Sequence, residues 1–205
     1  MPELELPEGP PMLTVLSGFS GSGKDAVRDL LMAWHLPVHF VVTVTNREMR
    51  PGEVEGIDYL FVSNEEFDRM ERDGELIEHA IVYGQKKGVP KQQIVEPLAA
   101  GRDVLARVDV QGAATLKALV PDAYLIFIAP PSMEEAARRL TDRDTDSEEQ
   151  RRIREETAQA ELEASKAFDV VVINETGKLE DTVHRVAELI AAEKRRRAAL
   201  DIELR

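Results

Sequence analysis

The chain has 205 residues, no cysteine and a formal net charge of −13. That length suits one domain with room for an insertion, and the missing cysteines exclude disulfides, thiol catalysis and cysteine-ligated zinc. The acidic balance excludes a broad nucleic-acid footprint but not a small anionic substrate held by a few local Arg and Lys residues.

Residues 1–11, MPELELPEGPP, are acidic and proline-rich, unlike a secretory signal, and are expected as a flexible tail. No apolar run approaches the roughly 18 residues of a membrane span, so a cytoplasmic location is the expectation. Leu13–Leu16 is a short apolar run that predicts a buried strand. It runs into Gly18-Phe19-Ser20-Gly21-Ser22-Gly23-Lys24, and Val27, Leu30 and Leu31 then repeat at helical spacing over about Lys24 to Trp34. Strand, glycine-rich turn and helix in that order make a phosphate-binding loop: backbone N–H groups turn inward, the helix N-terminus adds partial positive charge and Lys24 a full one. The pattern GxxxxGK[ST] is met at Gly18, Gly23 and Lys24, but Asp25 stands where a Mg²⁺-binding hydroxyl belongs.

Val38–Val44 is rich in β-branched residues and predicts a strand. Arg47 and Arg50 follow it, three apart, before a Pro51-Gly52 turn. Tyr59–Val62 predicts a short strand. Ser63 and Glu66 form a capping box for a helix that Gly74 stops. Glu75–Val82 is expected to be extended, and Pro90–Ala100 helical. Asp103–Asp109 predicts a buried strand ending in a carboxylate, with Gln111-Gly112 opening the next helix. Tyr124–Ile128 and Val170–Ile173 are two further core strands. Between them lie a helix capped by Ser132 and Glu135 and a charged stretch from Thr141 to Glu156. The last helix, about Leu179 to Leu200, turns Val183, Val186, Leu189 and Ile190 inward and ends in a basic run, Lys194–Arg197, suited to a helix C-terminus. Of the four histidines, His35 and His39 have a metal-like spacing, but Pro37 between them breaks a shared helix face.

Strands alternating with helices predict an α/β fold: a three-layer core with a parallel sheet flanked by helices and ligands beyond the carboxyl ends of its strands. Residues 12–37 and 96–205 are assigned to that core. Residues 38–95 break the alternation and predict a small β-rich insertion.

Five segments, VLSGFSGSGKD, TNREMRPGEVEGIDYLFVS, GELIEHAIVYG, VDVQGAATLK and RRLTDRDTDSEE, together resemble the guanylate kinases, nucleoside monophosphate kinases with the P-loop NTPase fold, over about residues 12–195. The resemblance implies Mg²⁺-dependent transfer of the γ-phosphoryl group of ATP to GMP, giving ADP and GDP, with dGMP an open second acceptor. It implies that 38–95 holds GMP and that 141–156 forms a helical lid within the core segment. ATP is then expected on Gly18, Phe19, Ser20, Gly21, Ser22, Gly23, Lys24, Asp25 and Ala26, with Asn174 near the adenine. Arg47, Arg50 and Tyr59 match the residues that hold the GMP phosphate, and two guanidinium forks suit a dianion. Glu78 and Asp109 match the carboxylates that read guanine, whose adjacent N1–H and N2–H₂ donors adenine lacks. Thr43 stands where the family usually has Ser. Lys24, Arg139, Arg143 and Arg154 match the cations that neutralise the transferring group. The nucleophile is already an anionic phosphate oxygen, so no general base is needed.

Four positions depart from the family pattern: Asp25, Arg107 in place of an acid, Lys87 in place of an aromatic, and Val89 in place of a Ser or Thr that contacts base or phosphate. Asp25 is a competent Mg²⁺ ligand, and with Arg107 it reads as a compensating swap that moves negative charge from the second strand to the loop. Two readings of Lys87 stand: it pairs with the GMP phosphate in place of the lost phenol, or it is exposed. A non-catalytic nucleotide-binding module on the same fold, or a kinase of another small phosphate such as a ribosyl phosphate, are the competing readings. Neither nucleic acid nor membrane is an expected partner, and both a monomer and a homo-oligomer are compatible with the sequence.

Overall fold

The computed structural model describes residues 4–82, 84–141, 161 and 163–203. In chain order the elements are β1 (Leu13–Gly18), α1 (Lys24–Ala33), β2 (His39–Phe40), β3 (Val44–Thr45), β4 (Leu60–Phe61), α2 (Asn64–Arg72), β5 (Leu76–Val82), β6 (Gln85–Pro90), α3 (Gln92–Ala99), β7 (Val104–Arg107), α4 (Val110–Leu119), β8 (Tyr124–Ala129), α5 (Met133–Thr141), β9 (Val170–Ile173) and α6 (Leu179–Glu203). None of the described helices is long and apolar enough to cross a membrane.

Strand β1 is buried at every position and lies at the centre of a five-stranded sheet, β2-β7-β1-β8-β9, in which every pairing is parallel. Its side chains alternate between the two faces. Met12 and Leu16 join Leu31, Ile126 and Ile190 on the α1 and α6 side. Leu13 and Val15 join Ile94, Leu116 and Leu125 on the α3 and α4 side. The sheet is therefore covered on both faces, the arrangement that continuous apolar strands require. A second, four-stranded sheet, β4-β3-β6-β5, is mostly antiparallel and comes from the middle of the chain.

Several expectations are corrected here. The single strand predicted over 38–44 is two strands in two sheets. The Val41 amide bonds Leu105 of the core, and the Thr43 carbonyl accepts from Leu60 of the insertion. The core sheet thus has five strands, and His39–Phe40 belongs to it. In residues 4–11, Leu4 and Leu6 pack on the core and the Pro10 carbonyl accepts from Lys194, so this part of the expected tail is held against the domain. The basic run does not end the last helix, which continues to Glu203. Within that run Lys194 is buried and paired at 2.6 Å with Asp103, whose other oxygen accepts from the Met12 amide. Arg196 and Arg197 both bond Glu193. The capping boxes form as read, with Ser63 accepting from Glu66 N and Ser132 from Glu135 N.

Candidate active site

The phosphate loop joins β1 to α1 at the carboxyl end of the core sheet. Gly23 caps α1 in the left-handed region, φ 84°, where a β-carbon would stand 2.5 Å from Asn174 Nδ2. Only glycine fits both the torsion and the approach. The Ser22 carbonyl accepts from Asn174 Nδ2 at 2.8 Å and from Arg139 Nη1 at 3.3 Å. Asn174 Oδ1 in turn accepts from Thr182 Oγ1. Phe19 is buried and stacks edge-on against Phe127, which stacks on Phe168. The loop is therefore held from beneath on both flanks, and Phe19 can offer a ligand only its backbone.

Lys24 Nζ donates to the Phe19 carbonyl at 3.3 Å, within the loop it serves. Among the described residues the Ser22 hydroxyl is buried without a partner. The Ser20 amide donates to Glu161 at 3.4 Å. Burial pushes the Glu161 carboxyl above its ordinary pKa, against the pull of Lys24. No motif in the sequence singles out Glu161, and its contact with the loop spans 141 positions.

Across from the loop, the insertion presents Tyr59, which is buried, with three cations around it. Arg47 lies 4.9 Å over its ring, Arg107 4.8 Å, and the Lys87 ammonium 5.9 Å from the ring centre. Burial alone would raise the Tyr59 pKa, but Arg107 and Lys87 outweigh it and hold the phenol below its usual value. Arg47 is aligned by Glu53, which takes both of its terminal nitrogens and also accepts from the Arg50 amide at 2.8 Å. Arg50 is exposed. Burial lowers the Lys87 pKa, with Arg107 and Lys24 adding to the effect. Arg28 of α1, also buried, reaches Asp58 at 2.9 Å and ties the insertion to the core.

Glu78 of β5 is buried, and no hydrogen-bond donor reaches its carboxylate among the described residues. It lies against Gly112 of α4, where a β-carbon would stand 3.0 Å from the carboxyl carbon. Burial, reinforced by Asp109, raises its pKa to about 7. Asp109 caps α4 through one oxygen, which accepts from the Gly112 amide at 2.9 Å. Two carboxylates thus face one space. Thr43 is buried at the crossover between the two sheets.

Asp25 sits in the first turn of α1, its side chain about half exposed, 3.3 Å from Arg107 Nη1. Burial works to raise its pKa, but Arg107, Lys24 and Arg28 overcome that and hold it well below the carboxylate range. Among the described residues no cluster of three or more His, Asp or Glu could hold a metal. A cation here needs phosphate oxygens and water beside one carboxylate, which is how Mg²⁺ is commonly held.

The structure gives three predicted residues different surroundings. Asn174 lies beneath the loop, its Nδ2 donating to the Ser22 carbonyl and its Oδ1 accepting from Thr182. Arg139 spends its guanidinium on Glu135, the Ser22 and Asn174 carbonyls and Thr176, bracing the loop instead of facing the cradle. Val89 is fully buried, packed in the core cluster with Val41 and Ile94 and paired in register across the insertion sheet with Glu78. Arg143, Arg154 and the lid segment from 142 to 156 lie outside the described residues.

The guanylate kinase family model matches residues 11–193. Guanylate kinase 2, chloroplastic/mitochondrial, of Oryza sativa subsp. japonica is 47% identical over 189 residues, 92% of this chain and 66% of that protein. The guanylate kinase of Thermobifida fusca is 45% identical over 183 residues, 89% of this chain and 90% of its own. A solved guanylate kinase structure from Anaplasma phagocytophilum matches with a TM-score of 0.75 at 33% identity, covering 91% of this chain and 88% of that one.

Proposed function

The chain belongs to the guanylate kinase family, and on that premise we propose how its residues divide the work. The reaction is transfer of the γ-phosphoryl group of ATP to GMP, giving ADP and GDP. The observation that carries the assignment of the acceptor base is Glu78, a buried carboxyl beside Asp109 to which no described residue donates. The paired N1–H and N2–H₂ donors of guanine satisfy it, whereas adenine would leave it desolvated and unpaired.

Lys24 and the amides from Gly18 to Asp25 hold the donor phosphates, and the orphaned Ser22 hydroxyl is a further donor at that position. Glu161 keeps the Ser20 amide occupied until a phosphate oxygen replaces it. Arg47, Arg50, Tyr59 and Lys87 hold the GMP phosphate, with Glu53 presenting the Arg47 fork. Thr43 lines the base side. Arg143 and Arg154 are assigned to the transferring group. Asn174 and Arg139 act through Ser22 by holding the loop in shape.

Mg²⁺ supplies charge neutralisation on the donor phosphates. Asp25 fits it as the one anionic oxygen of the loop, half exposed and ionised. The acceptor oxygen of GMP is anionic at neutral pH, so the protein has only to align it with the γ-phosphorus and neutralise charge.

The test is ADP release from ATP and Mg²⁺ with GMP, dGMP, AMP, CMP and UMP offered singly. Turnover confined to the guanine nucleotides is the expected outcome. Equal turnover with AMP would overturn the role given to Glu78 and Asp109.

A further inference from the structure

Arg107 is unusual by its position. It ends β7, a strand of the core rather than of the insertion, yet its guanidinium reaches into the acceptor side of the site. Its side chain is 8% exposed. Nη1 donates to the Tyr59 hydroxyl at 2.7 Å and lies 3.3 Å from Asp25, and Nη2 approaches the Asp58 carbonyl at 3.4 Å. Nε is buried with no acceptor among the described residues. A buried guanidinium with an unused donor is costly unless something completes it.

The charges around it do not balance. Arg47 is matched by Glu53, and Arg28 by Asp29 and Asp58. Lys24, Lys87 and Arg107 face one half-exposed carboxylate, Asp25, and no ion pair reaches either lysine among the described residues. Among the described residues the three cations meet Asp25 and, on the Lys24 side only, Glu161, so Lys87 and Arg107 are left in a partly desolvated space that calls for a multiply charged anion.

We propose that Arg107 is a further binding residue for the acceptor phosphate: the guanidinium orients the Tyr59 hydroxyl, contacts the GMP phosphate beside it, and exchanges Asp25 for that phosphate when GMP arrives. The inference rests on GMP being the acceptor and adds a residue the family pattern does not supply, since an acid usually stands at this position. Its physical consequence is alignment. Arg107 pairs in register with Leu16, on the strand that runs into the phosphate loop. A phosphate held from β7 is thereby fixed relative to the donor as well as to the insertion. Losing the contact is expected to lower kcat as well as weaken GMP binding.

The experiment compares the full chain with Arg107→Lys and Arg107→Met, measuring GMP and guanosine affinities by calorimetry without ATP or metal. Kinetic constants for GMP and ATP are measured in parallel. Arg107→Met is expected to weaken GMP by about tenfold or more, the loss typical of a charge-assisted hydrogen bond. Guanosine, which lacks the phosphate, should bind as in the parent chain, and Arg107→Lys should restore part of the loss. Unchanged GMP affinity, or equal weakening of GMP and guanosine, would overturn the proposal while parent turnover of GMP left the family activity standing. A parent chain that bound no GMP would instead overturn the reading beneath it. Should Arg107→Met fail to fold, Asp25→Asn reads the same contact from its exposed partner. Freed of its counter-ion, Arg107 should then bind GMP more tightly in the absence of metal, and unchanged or weaker binding would sink the idea.

Discussion

Asn174 donates its side-chain amide to the Ser22 carbonyl at 2.8 Å, joining the end of the last core strand to the phosphate loop across 152 residues of sequence. The bond is buried, and Thr182 holds the other end of the same side chain. An asparagine placed this way shapes the loop.

Asn174→Ala should therefore lower stability by about 1–3 kcal/mol, the cost of leaving buried partners unsatisfied. It should raise the KM for ATP while leaving the KM for GMP within a factor of about two, because the insertion is not involved. Denaturant melts and the two KM values check both parts. Equal loss for both substrates would place Asn174 elsewhere in the mechanism.

Glu78 carries a prediction in pH. Its folded pKa of about 7 lies above the ordinary carboxyl value of 4.5, so the native state binds more protons than the unfolded one between those two values. Stability should fall as pH rises through that window, by about 3 kcal/mol in all, and be unaffected below it. Glu78→Gln should flatten this slope, gaining stability at pH 8 relative to pH 5, while discrimination between GMP and AMP collapses. Melting temperatures across that range, with purine competition at pH 8, test the pair of effects together.

The Lys194–Asp103 pair is nearly enclosed, with side chains 6% and 9% exposed. Lys194→Met leaves Asp103 charged and without its cation, and should cost about 3–5 kcal/mol. Kinetic constants of the folded fraction should not change, since the pair lies at the opposite end of the strands from the loop. A melt within about 1 kcal/mol of the parent would show that water or the Met12 amide satisfies Asp103 without the lysine.

Asp25→Ser restores the hydroxyl usual in phosphate loops. If Asp25 is the Mg²⁺ ligand, the metal concentration for half-maximal turnover should shift by about tenfold, one charge-assisted contact. An unchanged Mg²⁺ dependence would leave Asp25 as the counter-ion of Arg107 alone. Chelation should abolish turnover in both forms.

The parts of the site that were legible in sequence are those built from neighbours in the chain. The phosphate loop is one continuous stretch whose glycines have torsional reasons to be where they are, and the capping boxes are local hydrogen bonds. Arg47 and Tyr59, which the structure brings together, were singled out because the matched positions of the RPGEVEGIDY segment have no generic structural reason to co-occur. What stayed hidden depends on contacts between distant segments. The periodicity of residues 38–44 is that of a strand, and nothing in it says that the chain changes sheets after Val41. The burial of Val89 is set by Val41 and Ile94, not by its own neighbours in sequence. Glu161 carries no local signal, and the pairing of Lys194 with Asp103 spans 91 positions.

The phosphate loop is anchored by the buried Phe19 ring, by Asn174 and by Arg139, all contacts within the protein itself. Its conformational entropy is therefore surrendered once, during folding, and not again at each turnover. The free energy of ATP binding can then go into affinity and alignment. The thermodynamic burden falls on the fold, so a substitution far from the nucleotide that loosens these anchors would appear in assays as a weaker substrate.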